Sequence, residues 1–548
     1  MAQPPPASLP PPPPLSVAAL QLETRPIPTA ENLAHIDALL DTECRRLGVI
    51  RWDEGRPAAT GSRAGGGGGG GDSGSVHLDI LVLPEIFNCG YQMNERACYG
   101  AESLQDASRS PSLAALAHWA RRYRCYAVAT LLEATADGHI YNSLVLAAPD
   151  GNFITRPASS GSGSSGSSCS SGGSSGGSSG ASASGSSSTH SLALVRKHRA
   201  SSLEGFVFRS AGAAGRGGES EAHVVEIDAA PLLHKRSELH KVSRGSGGSN
   251  GSGSDGGGGG STGQGPGQAK LRVAFSICYE NYCTPPMEAI REAHLQEPLH
   301  LLISPFCAMR PAHDHPTFKW PCEAAERFAA QAAAVSALHA AKLRLPVVAC
   351  HHTGPWSSAL PRLLPLLPRD PAPISGPMLG CSAAYAPGGA TLAQLAREQE
   401  GVLLVQLPLL HPAAAGAAHS AAEVAAEAAQ VAQQTAAQLA PVVGAAAAQS
   451  AAAGPGTRYA SYPGAYVVEP VSWHVRLGFP LMETLGSLSY HFWSGRQRQQ
   501  VARAIAASGA WQGPVPPLDS GAAWWRGMVV AAAAAAAGLA VAVALRAR

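Results

Sequence analysis

The chain carries little charge of either sign for its length. Of its 548 residues, 14% are Asp, Glu, Lys or Arg, and the formal net charge is +2. No cluster of Lys and Arg is interleaved with aromatic residues, which is the pattern of a nucleic-acid-binding surface. We therefore expect no nucleic acid among its partners.

Regular cysteine and histidine spacings are also missing. The 11 cysteines include no Cys-x-x-Cys pair, and Cys169 lies in a Ser/Gly run where a disulfide would have little to hold, which favours a reducing compartment. No ligand spacing accompanies His313, His315, His351 or His352, so we interpret these as loop residues. We expect no metal and no other cofactor.

The N-terminal arm, Pro4 to Pro14, has no positively charged segment followed by an apolar one, which argues against a secretory signal. At the other end, an apolar or small run from Gly527 to Leu545 would span about 28 Å as a helix, close to the thickness of a bilayer core. Trp and Arg flank this run, as at membrane interfaces. We predict that Trp524–Arg548 anchors the protein to a membrane with its main domain in the cytoplasm. Because the run is mostly alanine, a soluble cytoplasmic protein is the alternative.

Several segments are almost wholly Gly and Ser and bury too little apolar surface to offset chain entropy, so we interpret them as flexible inserts in one domain. The predicted layout is a Pro-rich arm over 1–14, a main domain over 15–410 with inserts at about 55–75, 157–190, 211–221 and 245–269, an Ala-rich linker over 411–456, a helical extension over 457–510 and the anchor over 524–548.

Strand-like and helix-like patterns alternate along the domain, which predicts a layered α/β fold. A hairpin turn is expected at Ala136–Gly138, and a further helix near Leu477–Phe492, where five apolar residues share one face. Strands are predicted at 15–22, 78–83, 125–131, 141–147, 192–195, 271–277, 299–303, 346–349, 381–385 and 401–406, and helices at 29–47, 112–123, 286–294 and 323–342.

Three apolar strand-like runs end on ionisable residues: Glu85, Lys197 and Cys278. A thiol reacts slowly with an amide or nitrile carbon unless a base or a positive charge is near it. A Glu85 carboxylate in apolar surroundings could take the thiol proton, and Lys197 could stabilise the oxyanion. The backbone N–H of Tyr279 is the natural second oxyanion donor.

Each residue also has a purely structural interpretation. Taken singly, Cys278 fits a core thiol, Glu85 a turn residue after proline, and Lys197 a solvated strand edge. Glu280 and Asn281, which follow the thiol, are expected to cap the next helix.

Together the segments resemble the nitrilase-like carbon-nitrogen hydrolase superfamily. The matching motifs are LVLPE ending at Glu85, VRKH containing Lys197 and ICYEN containing Cys278, and the resemblance runs from Ser16 to Leu407 between the inserts. It implies a four-layer αββα sandwich, a homodimer or higher oligomer, a thioester intermediate on the cysteine and water as second substrate. It also implies that Glu133 is a second glutamate that positions the lysine and the substrate; a surface carboxylate at a strand end is the alternative.

The leading hypothesis is a hydrolase of non-peptide carbon-nitrogen bonds, an amidase or nitrilase acting on a small amide or nitrile, with amide favoured. Transfer of the acyl group to an amine is a second hypothesis, because the same intermediate permits it. A catalytically silent scaffold is a third, against which the intact set of Glu85, Lys197 and Cys278 argues.

Overall fold

The computed structural model describes residues 14–23, 29–53, 56–57, 76–155, 192–201, 204–211, 223–232, 235, 270–310, 322–359, 373–408, 421–459, 490 and 495–515. Most of the predicted inserts, nearly all of the Pro-rich arm, most of the helix predicted at 477–492 and the whole predicted anchor lie outside these residues. No helix within the described ranges is long and apolar enough to cross a bilayer.

The strands follow the predicted order with a few additions. They are β1 (Leu15–Glu23), β2 (Trp52–Asp53), β3 (Arg56–Pro57), β4 (Ile80–Val82), β5 (Tyr126–Ala134), β6 (Ile140–Ala147), β7 (Val195–Arg196), β8 (Val224–Asp228), β9 (Lys270–Phe275), β10 (Leu301–Phe306), β11 (Val347–Thr353), β12 (Pro355–Ser358), β13 (Ile374–Pro377), β14 (Ala383–Tyr385), β15 (Thr391–Gln394) and β16 (Gly401–Leu407).

The described α-helices are α1 (Thr29–Arg46), α2 (Pro111–Tyr123), α3 (Thr284–Gln296), α4 (Cys322–Leu343), α5 (Ala421–Val443), α6 (Ala445–Ala452) and α7 (Gly495–Ser508). Short 3₁₀ helices cover Glu95–Gly100, Glu204–Phe206 and Cys278–Tyr282.

The largest sheet falls into two halves that meet at one end. The first has the strand order β7-β6-β5-β4-β1-β16, and the second β8-β9-β10-β11-β14-β15. Strands β1, β4 and β5 are parallel in the first half, and β9, β10 and β11 in the second. Leu22 of β1 pairs with His352 of β11, which joins the halves. Since parallel strands end at a common edge, residues that follow β4 and β9 can approach one another.

Side chains along β1 alternate between two apolar layers. Leu20 packs in one cluster with Ile36 of α1 and Leu116 of α2, whereas Val17 packs in another with Phe275 of β9. Helix α4 lies against β11 and β14 of the second half. The layers therefore run helix, sheet, sheet, helix, which confirms the predicted αββα sandwich.

Helix α2 shows how local sequence fixes an element beside the site. The Ser110 side chain accepts a hydrogen bond from the Leu113 N–H at 3.1 Å, and Pro111 occupies the first helical turn, where no backbone donor is needed. Arg124 ends the helix in the left-handed conformation, with φ 46°. The chain then enters β5 directly, and Gly138 with φ 87° makes the predicted hairpin turn into β6.

The Ala-rich segment differs from its prediction as a linker. It forms α5 and α6, and Ala432 and Ala451 pack with Leu338 and Ala341 of α4. Alanine has the highest helix propensity, and its small side chain lets helices approach closely. The repetitive alanine composition of this segment was therefore misinterpreted as a linker, although it forms two packed helices.

Strands β2, β3, β8, β12, β13 and β15 were not predicted. They are five residues long or shorter, and β12 and β13 contain proline and few apolar residues. Such strands are defined by their pairing partners rather than by an alternating pattern.

Candidate active site

The three sequence-predicted residues meet in a buried space. Lys197 Nζ donates a hydrogen bond to Glu85 Oε1 at 2.7 Å, and the Cys278 thiol hydrogen-bonds the same carboxylate. The exposed fractions are 0% for Glu85, 1% for Lys197 and 8% for Cys278. The fold thus brings together residues from the ends of β4, β7 and β9.

The backbone is strained at two of these strand ends. Cys278 has φ 48°, and Ile86, which follows Glu85, has φ 55°. A left-handed conformation is rare for non-glycine residues, above all for a β-branched one, and costs on the order of 1–3 kcal/mol. The Ile86 N–H donates to Thr130 Oγ1 at 3.1 Å, which helps to hold that turn. The turn at Cys278 lifts the thiol out of the strand direction.

Glu280 joins the turn at Cys278 to the loop that contains Lys197. Its buried carboxylate accepts the Ile277 N–H at 3.0 Å and the His198 N–H at 2.6 Å. Burial raises the pKa of Glu280, and these two N–H donors act in the opposite direction. Glu280 therefore holds Cys278 and Lys197 in register.

Asn281 closes the same turn from the other side. Its side-chain amide donates to Ser276 O at 3.0 Å and to Cys278 O at 2.9 Å, and Ser304 Oγ donates to its Oδ1 at 3.0 Å. The expectation that Glu280 and Asn281 cap the next helix was wrong. Helix α3 starts with prolines in its first turn, so fewer of its N–H groups need a cap.

Glu85 is oriented by a residue that the analysis of catalytic candidates missed. Asn142 Nδ2 donates to Glu85 Oε1 at 2.7 Å, on the oxygen that also accepts Lys197. The second oxygen, Oε2, is buried and has no partner of good hydrogen-bond geometry among the described residues. That oxygen is available to accept a proton.

Lys197 has a second carboxylate partner, Glu204, which the sequence analysis also missed. Its Oε2 and Oε1 lie 2.8 and 3.1 Å from Lys197 Nζ, and Oε2 accepts the Ser201 N–H at 2.6 Å. Glu204 follows the lysine by seven residues in a loop. Sequence spacing alone could not have indicated this contact, because it depends on the path by which the chain returns from Glu204 to Lys197.

Glu133 does not occupy the place expected of it. It binds Arg196 through Nε and Nη2, both at 2.7 Å, and Ser143 Oγ at 2.6 Å. Successive side chains of a strand point to opposite faces, so Arg196 turns to Glu133 and Lys197 turns to Glu85 and Glu204. The interpretation of Glu133 as the lysine-positioning glutamate is therefore corrected in favour of Glu204.

The charge balance keeps the Cys278 thiol protonated before a substrate binds. Two carboxylates surround one ammonium, so Glu85, Glu204 and Lys197 together carry one net negative charge. Burial and then Glu85 raise the pKa of Cys278 well above its usual value, although Lys197 opposes them.

The pKa values of both charged partners of the thiol, Glu85 and Lys197, are raised. Burial and the charge of Glu204 raise the pKa of Glu85, against the lowering effect of Lys197. Burial alone would lower the pKa of Lys197, but Glu204 and Glu85 reverse the effect and raise it well above its usual value. Lys197 therefore stays positive, and the raised pKa of Glu85 makes its carboxylate a stronger proton acceptor.

Two further side chains approach the site without having been predicted. Burial first, and then the nearby Glu204, Cys307 and Cys278, raise the pKa of Tyr91 well above its usual value, so its hydroxyl stays protonated. Its position is fixed from behind, where Trp356 Nε1 donates to Tyr91 O at 2.7 Å. Cys307 follows β10, next to the nucleophile strand.

The neighbouring histidines on β11 are buried strand residues, which corrects their interpretation as loop residues. His352 Nε2 donates to Glu85 O at 2.7 Å, and the ring of His351 stacks on Phe306 at a centroid distance of 4.5 Å. Burial lowers the pKa of His351 to about 3 and that of His352 to about 4. His313 and His315 lie outside the described residues. Within the described ranges, no three or more His, Cys, Asp or Glu side chains are grouped closely enough to hold a metal ion.

An open cleft of about 840 Å³ lies beyond β11, where Glu23, Glu398 and Glu400 line it together with Trp356. None of Glu85, Lys197 and Cys278 is among its lining residues. We therefore place the candidate active site at the buried carboxylate, ammonium and thiol, and not in this cleft.

Residues 16–160 match the family model described as carbon-nitrogen hydrolase. This match, the layered fold and the buried Glu85, Lys197 and Cys278 make the matched part of the chain similar to carbon-nitrogen hydrolases. No curated protein sequence matches the chain.

Solved structures of an amidase from Nesterenkonia sp. are similar to part of the chain. One crystal structure has 14% sequence identity and a TM-score of 0.37, and the alignment covers 73% of this chain and 93% of the amidase. A mutant of the amidase from Nesterenkonia sp. AN1 in complex with butyramide has the same identity and TM-score over 72% and 92% of the two chains. A third structure, with acetamide added covalently to its active-site cysteine, has 14% identity and a TM-score of 0.37 over 72% and 91%.

Proposed function

We propose that this chain hydrolyses a non-peptide carbon-nitrogen bond of a small amide through a thioester on Cys278. The observation that carries the proposal is the shared carboxylate: Glu85 binds both Lys197 Nζ, at 2.7 Å, and the Cys278 thiol. A base, a cation and a nucleophile within hydrogen-bond reach are the groups that acyl transfer through a covalent intermediate requires.

In the proposed first half-reaction, the sulfur of Cys278 attacks the amide carbon while Glu85 takes the thiol proton. The resulting oxyanion is stabilised by the Lys197 ammonium and the backbone N–H of Tyr279. When the tetrahedral intermediate collapses, the carbon-nitrogen bond breaks and Glu85 returns the proton to the leaving nitrogen. Ammonia or an amine departs and a thioester remains.

In the second half-reaction, Glu85 removes a proton from water, which attacks the thioester carbon. Collapse releases the carboxylic acid, and the thiol is re-formed with the proton from Glu85. The raised pKa of Glu85 suits a group that must accept and return a proton twice in each cycle.

The pocket contacts favour a small, uncharged acyl group. The described apolar side chains around the site include Tyr91, Phe208 and Trp356, which pack in one buried cluster with Cys307. A charged acyl group would have to be desolvated beside Glu85, Glu204 and Lys197, which together already carry a net negative charge. Parallel assays with amides and nitriles of the same acyl group determine which of the two the protein accepts.

The decisive experiment is covalent capture of the acyl group. Purified protein is incubated with a panel of electrophilic amides and nitriles, and the peptide that contains Cys278 is searched for an added mass. We expect an adduct that is lost in Glu85→Ala and Lys197→Ala and retained in the control Glu133→Ala, whose carboxylate binds Arg196 instead. Full amide hydrolysis by Cys278→Ala would exclude the thiol mechanism, and a folded protein with no adduct would favour the scaffold hypothesis.

Acyl transfer is separated from hydrolysis by product analysis. With a primary amine added at increasing concentration, a hydrolase continues to release the carboxylic acid, whereas a transferase diverts the acyl group into a new amide. The thioester is common to both reactions, so the adduct alone does not distinguish them.

The location and the assembly of the protein are also part of this proposal. If Trp524–Arg548 is an anchor, its deletion moves the protein from the membrane fraction to the supernatant; an unchanged distribution would contradict the anchor. Sedimentation analysis of the deleted form tests the expected dimer.

A further inference from the structure

A second thiol lies at the end of the strand beside the nucleophile strand. Strands β9 and β10 are parallel neighbours, with Phe275 opposite Ile303. The pairing continues to the Ser276 N–H, which donates to Ile303 O at 3.1 Å, and Cys278 and Cys307 then follow the ends of β9 and β10 by three residues and one residue. Neighbouring strands are about 4.8 Å apart, which is within the Cα separation that a disulfide needs.

A direct contact supports this proximity. The backbone N–H of Cys307 hydrogen-bonds the sulfur of Cys278, and Glu85 and Glu204 act on both thiols. Both side chains are buried, with exposed fractions of 4% and 8%, and both are free thiols in the structure. No step of the proposed hydrolysis uses the Cys307 side chain.

We propose that Cys307 is a resolving thiol, so that oxidation of Cys278 by a peroxide ends in a Cys278–Cys307 disulfide that reversibly blocks the nucleophile. The inference rests on the proposed function only in so far as that function makes Cys278 a reactive thiol beside a base. Its structural basis is the pairing of two cysteines at adjacent strand ends.

The chemistry balances with a hydroperoxide as oxidant. The Cys278 sulfur attacks one peroxide oxygen, the O–O bond breaks, and the thiol proton passes through Glu85 to the departing oxygen, which leaves as water or an alcohol. The product is a sulfenic acid on Cys278. The Cys307 sulfur then attacks the Cys278 sulfur, the S–O bond breaks, and the departing hydroxyl leaves as water with the Cys307 proton. A dithiol reductant reverses the disulfide.

Cys283 provides a matched control. It is also a buried free thiol and lies five residues from Cys278, but its Sγ donates to Tyr279 O at 3.4 Å within its own turn. It stands at the start of α3 rather than on the adjacent strand. Cys283→Ala should therefore leave formation of the disulfide unchanged.

The test uses the full-length protein, hydrogen peroxide and peptide mapping without reduction. Trypsin cleaves after Arg272 and Arg291, so Cys278 and Cys283 share one peptide and Cys307 lies in the next. We expect the two peptides to be linked, with a combined mass two hydrogens below their sum, in wild type and in Cys283→Ala. Activity should be lost with formation of the link and regained after dithiothreitol.

In Cys307→Ala, no link forms and the Cys278 sulfenic acid is oxidised further, so the peptide becomes two oxygens heavier. Sulfinic acids are not reduced by dithiols, and we expect this variant to regain at most about a tenth of its own lost activity. Recovery equal to that of wild type, or a Cys278–Cys283 loop in place of the linked peptides, would overturn the proposal. So would a wild-type map without the link, a result that needs no variant.

The outcomes are separate from those of the proposed function. The linked peptides are detected by mass and need no turnover, so an inactive protein can still form them. Conversely, hydrolysis that depends on Cys278 without any link to Cys307 would reject only the resolving thiol.

Discussion

At the residue scale, each chemically active side chain is held by a neighbour that the sequence does not single out. Asn142 and Lys197 share one oxygen of Glu85, and Glu204 balances the lysine from its other side. Because both donors bind Oε1 of Glu85, the other oxygen, Oε2, is the one left to accept a proton. Two residue-scale predictions concern the proposed base and the buried hydroxyl of Tyr91.

Replacement of the proposed base should remove catalysis without unfolding the protein. In Glu85→Gln the side chain keeps its size but cannot accept the thiol proton, and we expect kcat/KM to fall by about 10²–10⁴-fold. Steady-state amide hydrolysis measures the change, with circular dichroism as the check on folding. Glu133→Gln, whose carboxylate faces Arg196, should lose much less activity; an equal loss in both variants would argue against a special role for Glu85.

Tyr91→Phe should weaken the reaction more than the fold. The phenol lies near Cys278, Glu85 and Glu204. If it donates to substrate, its removal costs about 1–1.5 kcal/mol, or roughly a 5- to 10-fold fall in kcat/KM. Unchanged kinetics for every accepted amide would remove Tyr91 from the substrate pocket, and a lowered urea midpoint would indicate a structural role.

At the element scale, caps and tight turns decide where strands and helices stop. Helix α2 carries its apolar face, including Leu113 and Trp119, into the layer behind the first half of the sheet. The Ser110 side chain accepts from Leu113 N–H and donates to Glu102, so it fixes the helix start to a buried carboxylate.

Ser110→Ala should lower the free energy of unfolding by about 1–2 kcal/mol, because an N-cap and a buried hydrogen bond are lost together. Urea denaturation measures this change. The nearby Ser108→Ala is the control, since its hydroxyl donates to Asp106 at an exposed site and should cost less than about 0.5 kcal/mol. Similar losses in the two variants would contradict the assigned cap.

Alanine substitutions at two glycines with positive φ distinguish the cost of backbone strain from the cost of a steric clash. At Gly380, with φ 62°, a Cβ would lie 1.8 Å from Arg397 O, whereas at Gly48, with φ 70°, it would meet nothing within 4 Å. We expect Gly48→Ala to cost about 1 kcal/mol and Gly380→Ala to cost about 3 kcal/mol or to prevent folding. Equal unfolding midpoints would show that the turn before β14 can open.

At the scale of the whole molecule, buried neutral histidines couple folding to pH. Burial lowers the pKa of His339 to about 4, and the same effect acts on His351 and His352. The unfolded chain then binds more protons than the folded chain between these values and about 6.5. Stability is therefore complete above about pH 6.5 and falls as the pH is lowered through that range.

The magnitude at the acid end is of the order of 3 kcal/mol for His339 and His352 and about 5 kcal/mol for His351. His339 Nε2 contacts Asn281 O at 2.9 Å, and a glutamine could donate to the same carbonyl without titrating. We expect His339→Gln to show a shallower loss of urea stability between pH 7 and pH 4 than wild type. Parallel curves would mean that His339 is protonated in the folded protein.

How much could be predicted differs between elements and contacts. The order of strands and helices followed from apolar periodicity, and the place of β4, β7 and β9 followed from runs that end on Glu85, Lys197 and Cys278. The role expected of Glu133 and the capping by Asn281 were wrong, because both depend on the direction of a side chain across a turn or a strand edge.

The sequence by itself determined the layered α/β class and the three ionisable strand ends, because periodicity and strand termination are local properties of the chain. Tertiary structure alone decided that Glu204 binds Lys197, that Cys307 touches Cys278 and that the Ala-rich segment packs on α4. These contacts join residues from separate loops, strands or helices, and their geometry is set by pairing register and by the path of the chain between them.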